Sequence, residues 1–142
     1  MNVPEKLPEK TPRVWLRYAQ GDLGVAEREM TSETPAFHTI CFLCQGAAEK
    51  CLKGYLIAQG WPLKKTHDVI DLIRDCMAYD STFEALIPYG GILNAYITAG
   101  RYPGEVPFEE IGPDQAREAL VAARGIRDAV LARLPAQITQ EK

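Results

Sequence analysis

Three polar residues that could do chemistry, Gln45, Glu49 and Lys53, recur every four positions inside the long apolar stretch HTICFLCQGAAEKCLKGYLIAQG. If this stretch is a helix, about 100° of rotation per residue places them in a row that drifts slowly around one side. The row could be a solvated stripe in which Glu49 and Lys53 form an i,i+4 ion pair. Alternatively, it is a polar network at an interface or shallow cleft, with amide donors from Gln45 and positive charge from Lys50 or Lys53. The spacing does not separate these two interpretations.

A second candidate site comes from the cysteines, because Cys41 and Cys44 have the C-x-x-C spacing of redox and zinc sites. The apolar pattern runs through both residues, however, which places them inside a helix and not in a loop. No second C-x-x-C and no H-x3-H pair follows them in the sequence. We therefore expect these two thiols, with Cys51 and Cys76, to be small buried core residues, and we expect no metal site and no cofactor.

The length and composition are those of one globular domain: 142 residues, 46% hydrophobic and 25% charged. A formal charge of -3 means that no global basic field attracts nucleic acid, so any such ligand needs a local basic patch. No uncharged apolar run is long enough to span a membrane, and the N-terminus lacks the apolar core of a signal peptide. We expect a cytoplasmic protein with a flexible arm at 1–11, a helical domain at 12–135 and a tail at 136–142.

The hydrophobic pattern predicts a series of helices separated by breaks that contain Gly or Pro. They cover residues 12–30, about 35–59, 66–77, 82–99 and 113–134. A break or kink is expected near Pro88, and Thr66 or His67 is expected to cap the third helix. No alternating run of Val, Ile and Thr indicates a strand. The predicted fold is an all-α antiparallel up-and-down four-helix bundle with an additional short helix.

Several segments resemble the HEPN domain family. CFLCQGAAEKCLKGYLI is similar to the family's second helix, in which an aromatic residue and Gln are followed by Ala-Glu-Lys and a second Lys. Other matches fall in the family's order: Ala19-x2-Asp22-Leu23-x2-Ala26, then His67-Asp68, then Tyr96-Ile97 followed by Arg101-Tyr102-Pro103. The resemblance extends from about Arg13 to Leu134.

This resemblance implies a HEPN-like bundle that forms a homodimer, binds a nucleotide or RNA, and is paired with a small nucleotidyltransferase, often as a toxin–antitoxin module. The residues implied as candidates for nucleotide or phosphate binding lie on the second helix, at the start of the third and after the fourth. They are Gln45, Glu49, Lys50, Lys53, His67, Asp68, Arg101 and Tyr102.

Two of these candidate pairs also have simpler interpretations. His67 and Asp68 either line a binding cleft with Lys64 and Lys65 or are first-turn residues of a helix, where Asp68 complements the helix dipole. Arg101 and Tyr102 either bind phosphate and stack on a base or anchor a loop to the bundle.

The sequence departs from the ribonuclease members of the family, which carry Arg-x4-6-His. The guanidinium of that motif steadies phosphate and the imidazole assists proton transfer. Only His38 and His67 occur here, and no His follows Arg101 at the required distance. We therefore expect a non-catalytic module without catalytic residues. The alternatives are a metal-independent ribonuclease with an atypical site around His67, Arg101 and Tyr102, or a structural dimer or adaptor in which the polar row sets the dimer register.

Overall fold

A computed structural model of the protein describes residues 11–62, 65–97 and 111–139, and all regular secondary structure in these ranges is helical. The predicted all-α fold is confirmed. The elements are α1 (Pro12–Met30), α2 (Phe37–Ala58), α3 (Val69–Met77), a 3₁₀ helix (Ser81–Leu86), α4 (Ile87–Asn94), α5 (Pro113–Ala132) and α6 (Ala136–Thr139). None of these helices is long and apolar enough to cross a membrane.

Helix α2 is the central element of the bundle and contacts α1, α3, α4 and α5. It can be surrounded because small residues, among them Ala47, Ala48 and Gly54, let neighbouring helices approach closely. A Cβ atom placed on Gly54 would lie 3.4 Å from Trp15 Cβ. A Cβ atom placed on Gly46, eight residues earlier in α2, would lie 3.1 Å from the Asp22 carboxylate. The order of these contacts shows that α1 and α2 run antiparallel.

The boundaries of the middle helices follow from local capping chemistry. Asp68, and not Thr66 or His67, is the N-cap of α3, because its carboxylate accepts a hydrogen bond from the Asp71 backbone N–H at 3.0 Å. The break predicted near Pro88 is confirmed, because a 3₁₀ helix ends at Leu86 and Pro88 lies in the first turn of α4. A proline there removes no helical hydrogen bond, since the first N–H groups of a helix have no partner inside it.

All four cysteines are buried and free, as expected for core residues. Burial raises the pKa of Cys41, Cys44 and Cys51 to about 12 and also raises the pKa of Cys76. The thiols are therefore protonated at neutral pH. Among the described residues, no group of three His, Cys, Asp or Glu side chains could hold a metal ion.

The packing of α4 on α5 makes a stability prediction at Gly125. A Cβ atom at this position would overlap the Tyr89 ring, coming within 3.0 Å of Cδ2 and 3.1 Å of Cζ. We expect Gly125→Ala to lower the free energy of unfolding by about 1–3 kcal/mol, measured by urea denaturation, because the ring must move. Gly21→Ala is the matched control, since nothing lies within 4 Å of its Cβ position. It should raise stability by up to about 1 kcal/mol. Equal effects of the two substitutions would contradict this packing.

Candidate functional site

The polar row of α2 is buried inside a single chain. Gln45 is 3%, Glu49 8% and Lys53 4% exposed, so the interpretation as a solvated stripe is wrong. The physical reason is that neighbouring elements cover the row. The Lys53 Nζ lies 5.7 Å from the ring centroid of Trp15 on α1, in cation–π geometry. On the other side, the segment that precedes α3 places His67 against Glu49.

Glu49 is the centre of a hydrogen-bonded cluster that also contains Gln45, Lys53 and His67, here called the Glu49 network. The Lys53 Nζ donates to Glu49 Oε2 at 2.8 Å, and His67 Nδ1 lies 3.0 Å from Glu49 Oε1. The Gln45 Nε2 lies 3.3 Å from Oε1 and also donates to the backbone carbonyl of His67 at 2.8 Å. Both oxygens of the carboxylate are therefore satisfied, which a buried charge requires.

The charge state of Glu49 determines which ring nitrogen of His67 carries a proton. Burial favours the neutral acid, but hydrogen bonds from Lys53 and His67 and their positive charges outweigh burial and hold the Glu49 pKa below its ordinary value. Because the carboxylate is ionised and can only accept, His67 must donate from Nδ1–H. The His67 side chain is 50% exposed. The network thus fixes the Nδ1 edge of the ring inside the protein and leaves the rest of the imidazole available at the surface.

A second set of hydrogen bonds joins the start of α3 to the end of α4. The Asn94 side-chain amide donates to Asp68 Oδ1 at 2.9 Å, and the Val69 backbone N–H donates to Asn94 Oδ1 at 2.8 Å. Burial by itself would raise the pKa of Asp68. The hydrogen bonds from Asn94 and from the backbone of Asp71 outweigh burial, so the pKa of Asp68 lies below its ordinary value. These hydrogen bonds hold Asp68 in place and so restrict the position of its neighbour His67.

The structure brings together only part of the predicted set. Gln45, Glu49, Lys53 and His67 form one cluster, with Asp68 next to it in sequence. Lys50 lies outside the Glu49 network and pairs with Asp22 on α1 at 2.7 Å, where the two side chains are 28% and 26% exposed. Arg101, Tyr102 and Lys64 lie outside the described residues.

Two residues of this region were missed by the sequence analysis. Trp15 lies within the hydrophobic pattern that predicts the first helix, and that pattern does not indicate that its ring packs over Lys53. Asn94 drew no attention, although a single amide inside the apolar run IPYGGILNAYI is a signal for a buried polar partner.

The chain is an all-α bundle whose central helix carries a buried polar network. Over residues 12–134 the sequence matches the HEPN domain family, and the chain belongs to that family. No protein of curated function matches it.

Two solved structures are similar to this chain. One is TT1696 from Thermus thermophilus, with 28% identity over 87% of this chain and 98% of that one and a TM-score of 0.74. The other is ST0689, described as an archaeal HEPN homologue, with 25% identity over 90% and 98% of the two chains and a TM-score of 0.70. The bundle is therefore that of HEPN proteins over nearly its whole length.

The buried ion pair makes a prediction for Lys53. Lys53→Met leaves the Glu49 carboxylate buried without its ammonium partner, so we expect a loss of about 3 kcal/mol in the free energy of unfolding, measured by urea denaturation. Lys50→Met is the matched control on the same helix, because it removes a partly exposed ion pair to Asp22. That substitution should cost no more than about 1 kcal/mol. Similar losses for the two variants would show that the Glu49 network does not behave as a buried pair.

Glu49 also makes a prediction for acid stability. A carboxyl whose pKa is lower in the folded state stabilises the fold fully above its unfolded pKa, near 4.5, and loses that contribution as pH falls through the folded value. We expect the unfolding free energy of the wild type to fall more steeply below pH 4.5 than that of Glu49→Gln. Asp68 and Asp80 also have lowered pKa values, but they are present in both proteins and cancel in the difference. Parallel curves for the two proteins would mean that the Glu49 pKa is not lowered.

Proposed function

We propose that this HEPN protein is a non-catalytic module of the cytoplasm that binds a nucleotide or RNA through a phosphate group at His67. The observation that carries the proposal is the half-exposed imidazole held by a buried, ionised carboxylate. Because Lys53 balances the charge of Glu49, the buried carboxylate next to His67 leaves no uncompensated negative charge that would repel a phosphate. An imidazole held in this way is a preorganised hydrogen-bonding group for a phosphate.

The other candidates have different roles in this proposal. Gln45, Glu49 and Lys53 are positioning residues, because they are buried and act on a ligand only through His67. Arg101 and Tyr102 are proposed to contribute a guanidinium for phosphate and a ring for base stacking, on the strength of their residue types. Lys50 contributes positive charge only if its pairing with Asp22 opens.

We further propose that the protein acts as a homodimer paired with a small nucleotidyltransferase, as in toxin–antitoxin modules. Membership of the HEPN family supports this, together with the exposed apolar side chains of Tyr18 and Val25 on α1. A structural dimer or adaptor in which the polar row sets the register gains no support, because Gln45, Glu49 and Lys53 hydrogen bond within one chain.

A second candidate function, metal-independent RNA cleavage, is favoured by one observation. A carboxylate that fixes the Nδ1–H of a histidine leaves Nε2 as a base, which is the arrangement used in general acid–base catalysis. Against it stands the missing Arg-x4-6-His motif. The two functions use the same imidazole, so one set of variants tests both.

We expect His67→Ala to weaken binding of a fluorescent single-stranded RNA and of ATP at least tenfold, measured by anisotropy and calorimetric titration. Arg117→Ala, which removes an exposed cation on α5, is the control and should leave affinity within twofold. Unchanged affinity in His67→Ala would refute phosphate binding at this residue. Cleavage of the RNA by the wild type without metal, lost in His67→Ala, would replace the binding function with the ribonuclease.

A further inference from the structure

The outer face of α1 carries an apolar stripe that the described part of the chain leaves exposed. Tyr18 is 61% and Val25 45% exposed, and Val14, one turn before Tyr18, is half-buried. With Gly21, these residues are spaced by four, three and four positions, which keeps them on one side of a helix. The core residues of α1 lie on nearly the opposite side. Helix α1 therefore has a second apolar face besides the one that packs into the bundle.

The middle of this stripe is a depression, because Gly21 has no side chain. A Cβ atom built on Gly21 would meet no side chain or neighbouring helix of the described chain within 4 Å, so neither Tyr18 nor Val25 fills the space. A Cβ atom on Gly24, one turn along, would meet only the end of the Arg28 side chain, at 3.4 Å. A helix of another molecule can therefore approach α1 closely at this point.

We propose that this stripe is the contact between the two copies of the homodimer, an inference that rests on the dimer proposed above. The two α1 helices run antiparallel about a two-fold axis. The axis that places Tyr18 of one copy opposite Gly21 of the other also places Val14 opposite Val25, because both pairs have the same midpoint in the sequence. Each tyrosine ring thus meets the depression of the other copy, twice by symmetry. A face that complements itself in this way favours a second copy over an unrelated protein.

The charges beside the stripe are complementary in the same register. Lys50 Nζ pairs with Asp22 at 2.7 Å, and the two side chains are 28% and 26% exposed. On α2, Lys50 lies midway between Gly46 and Gly54, the two glycines that approach α1, and it is therefore level with Tyr18. In the dimer Lys50 is then level with Gly21 of the other copy, next to Asp22 and on the same flank of the helix pair. Each lysine can pair with an aspartate of either copy, so this flank attracts a second copy.

Sedimentation velocity of the full-length protein over a range of concentrations measures the dimer dissociation constant. We expect the wild type to dimerise and Tyr18→Ser to raise that constant about tenfold or more, as for a central anchor of an interface. Val121→Ser removes an exposed apolar side chain of α5, which lies outside the stripe. It is the matched control and should change the constant by less than about twofold.

Gly21→Gln separates loss of the interface from loss of the fold. The new side chain fills space that is open within one chain, and it replaces a glycine inside a helix, so the thermal stability of the monomer should not fall. In the dimer the same side chain occupies the depression that receives Tyr18. We therefore expect the dissociation constant to rise about tenfold or more.

A mixture of two charge variants tests whether the ion pairs cross the interface. Asp22→Lys gives each copy two lysines at this position, and Lys50→Glu gives each copy two acids. We expect each variant alone to dimerise more weakly than the wild type. Mixed one to one, they should form a heterodimer about threefold or more tighter than either homodimer, because unlike charges then face each other.

The outcomes distinguish this interface from the dimer itself. A wild type that remains monomeric at all concentrations refutes the proposed homodimer and the interface with it. A dimer that persists unchanged in Tyr18→Ser and Gly21→Gln refutes the α1 interface and leaves the homodimer standing. The interface is also overturned if Val121→Ser weakens the dimer equally, or if the mixed charge variants associate no better than each does alone.

Discussion

The buried carboxylate of Glu49 is the constraint on which the candidate site depends. An isolated charge in a protein interior is costly, and it persists only if a counter-charge and hydrogen-bond donors accompany it. Lys53 one turn later supplies the counter-charge at 2.8 Å, and His67 supplies a donor from another segment of the chain. Because the buried carboxylate of Glu49 needs a hydrogen-bond donor, it also fixes the position of the His67 imidazole.

Hydrogen bonds connect the Glu49 network to the helices α3 and α4. Glu49 and Gln45 on α2 hold His67 by its ring and its backbone carbonyl. The next residue, Asp68, caps α3 and joins Asn94 at the end of α4. Three helices thus meet at a short segment between residues 65 and 69. A histidine on such a segment has little freedom to reorient, which suits the preorganised recognition of an anion that we propose.

The sequence allowed most of the fold to be predicted, because hydrophobic periodicity and proline positions are local signals. Helices α1 and α5 begin at their predicted prolines, Pro12 and Pro113. The environment of the polar row could not be obtained in this way, because the cover over Lys53 is Trp15, which is distant in sequence. The N-cap of α3 is Asp68, one or two residues after the expected Thr66 or His67. All three residues have polar side chains, and only the geometry of the folded chain selects among them. Helix α6 could not be predicted, because its four residues carry no periodic signal.

The core thiols have a practical consequence for following the opening of this bundle. A protonated, enclosed thiol does not attack an alkylating reagent, since the thiolate is the nucleophile and it needs access to the reagent. Cys41, Cys44 and Cys51 lie along α2, and Cys76 lies on α3. Iodoacetamide added under native conditions will therefore modify the chain only when these helices separate. Mass spectrometry of the four positions then reports, residue by residue, which part of the interior opens first.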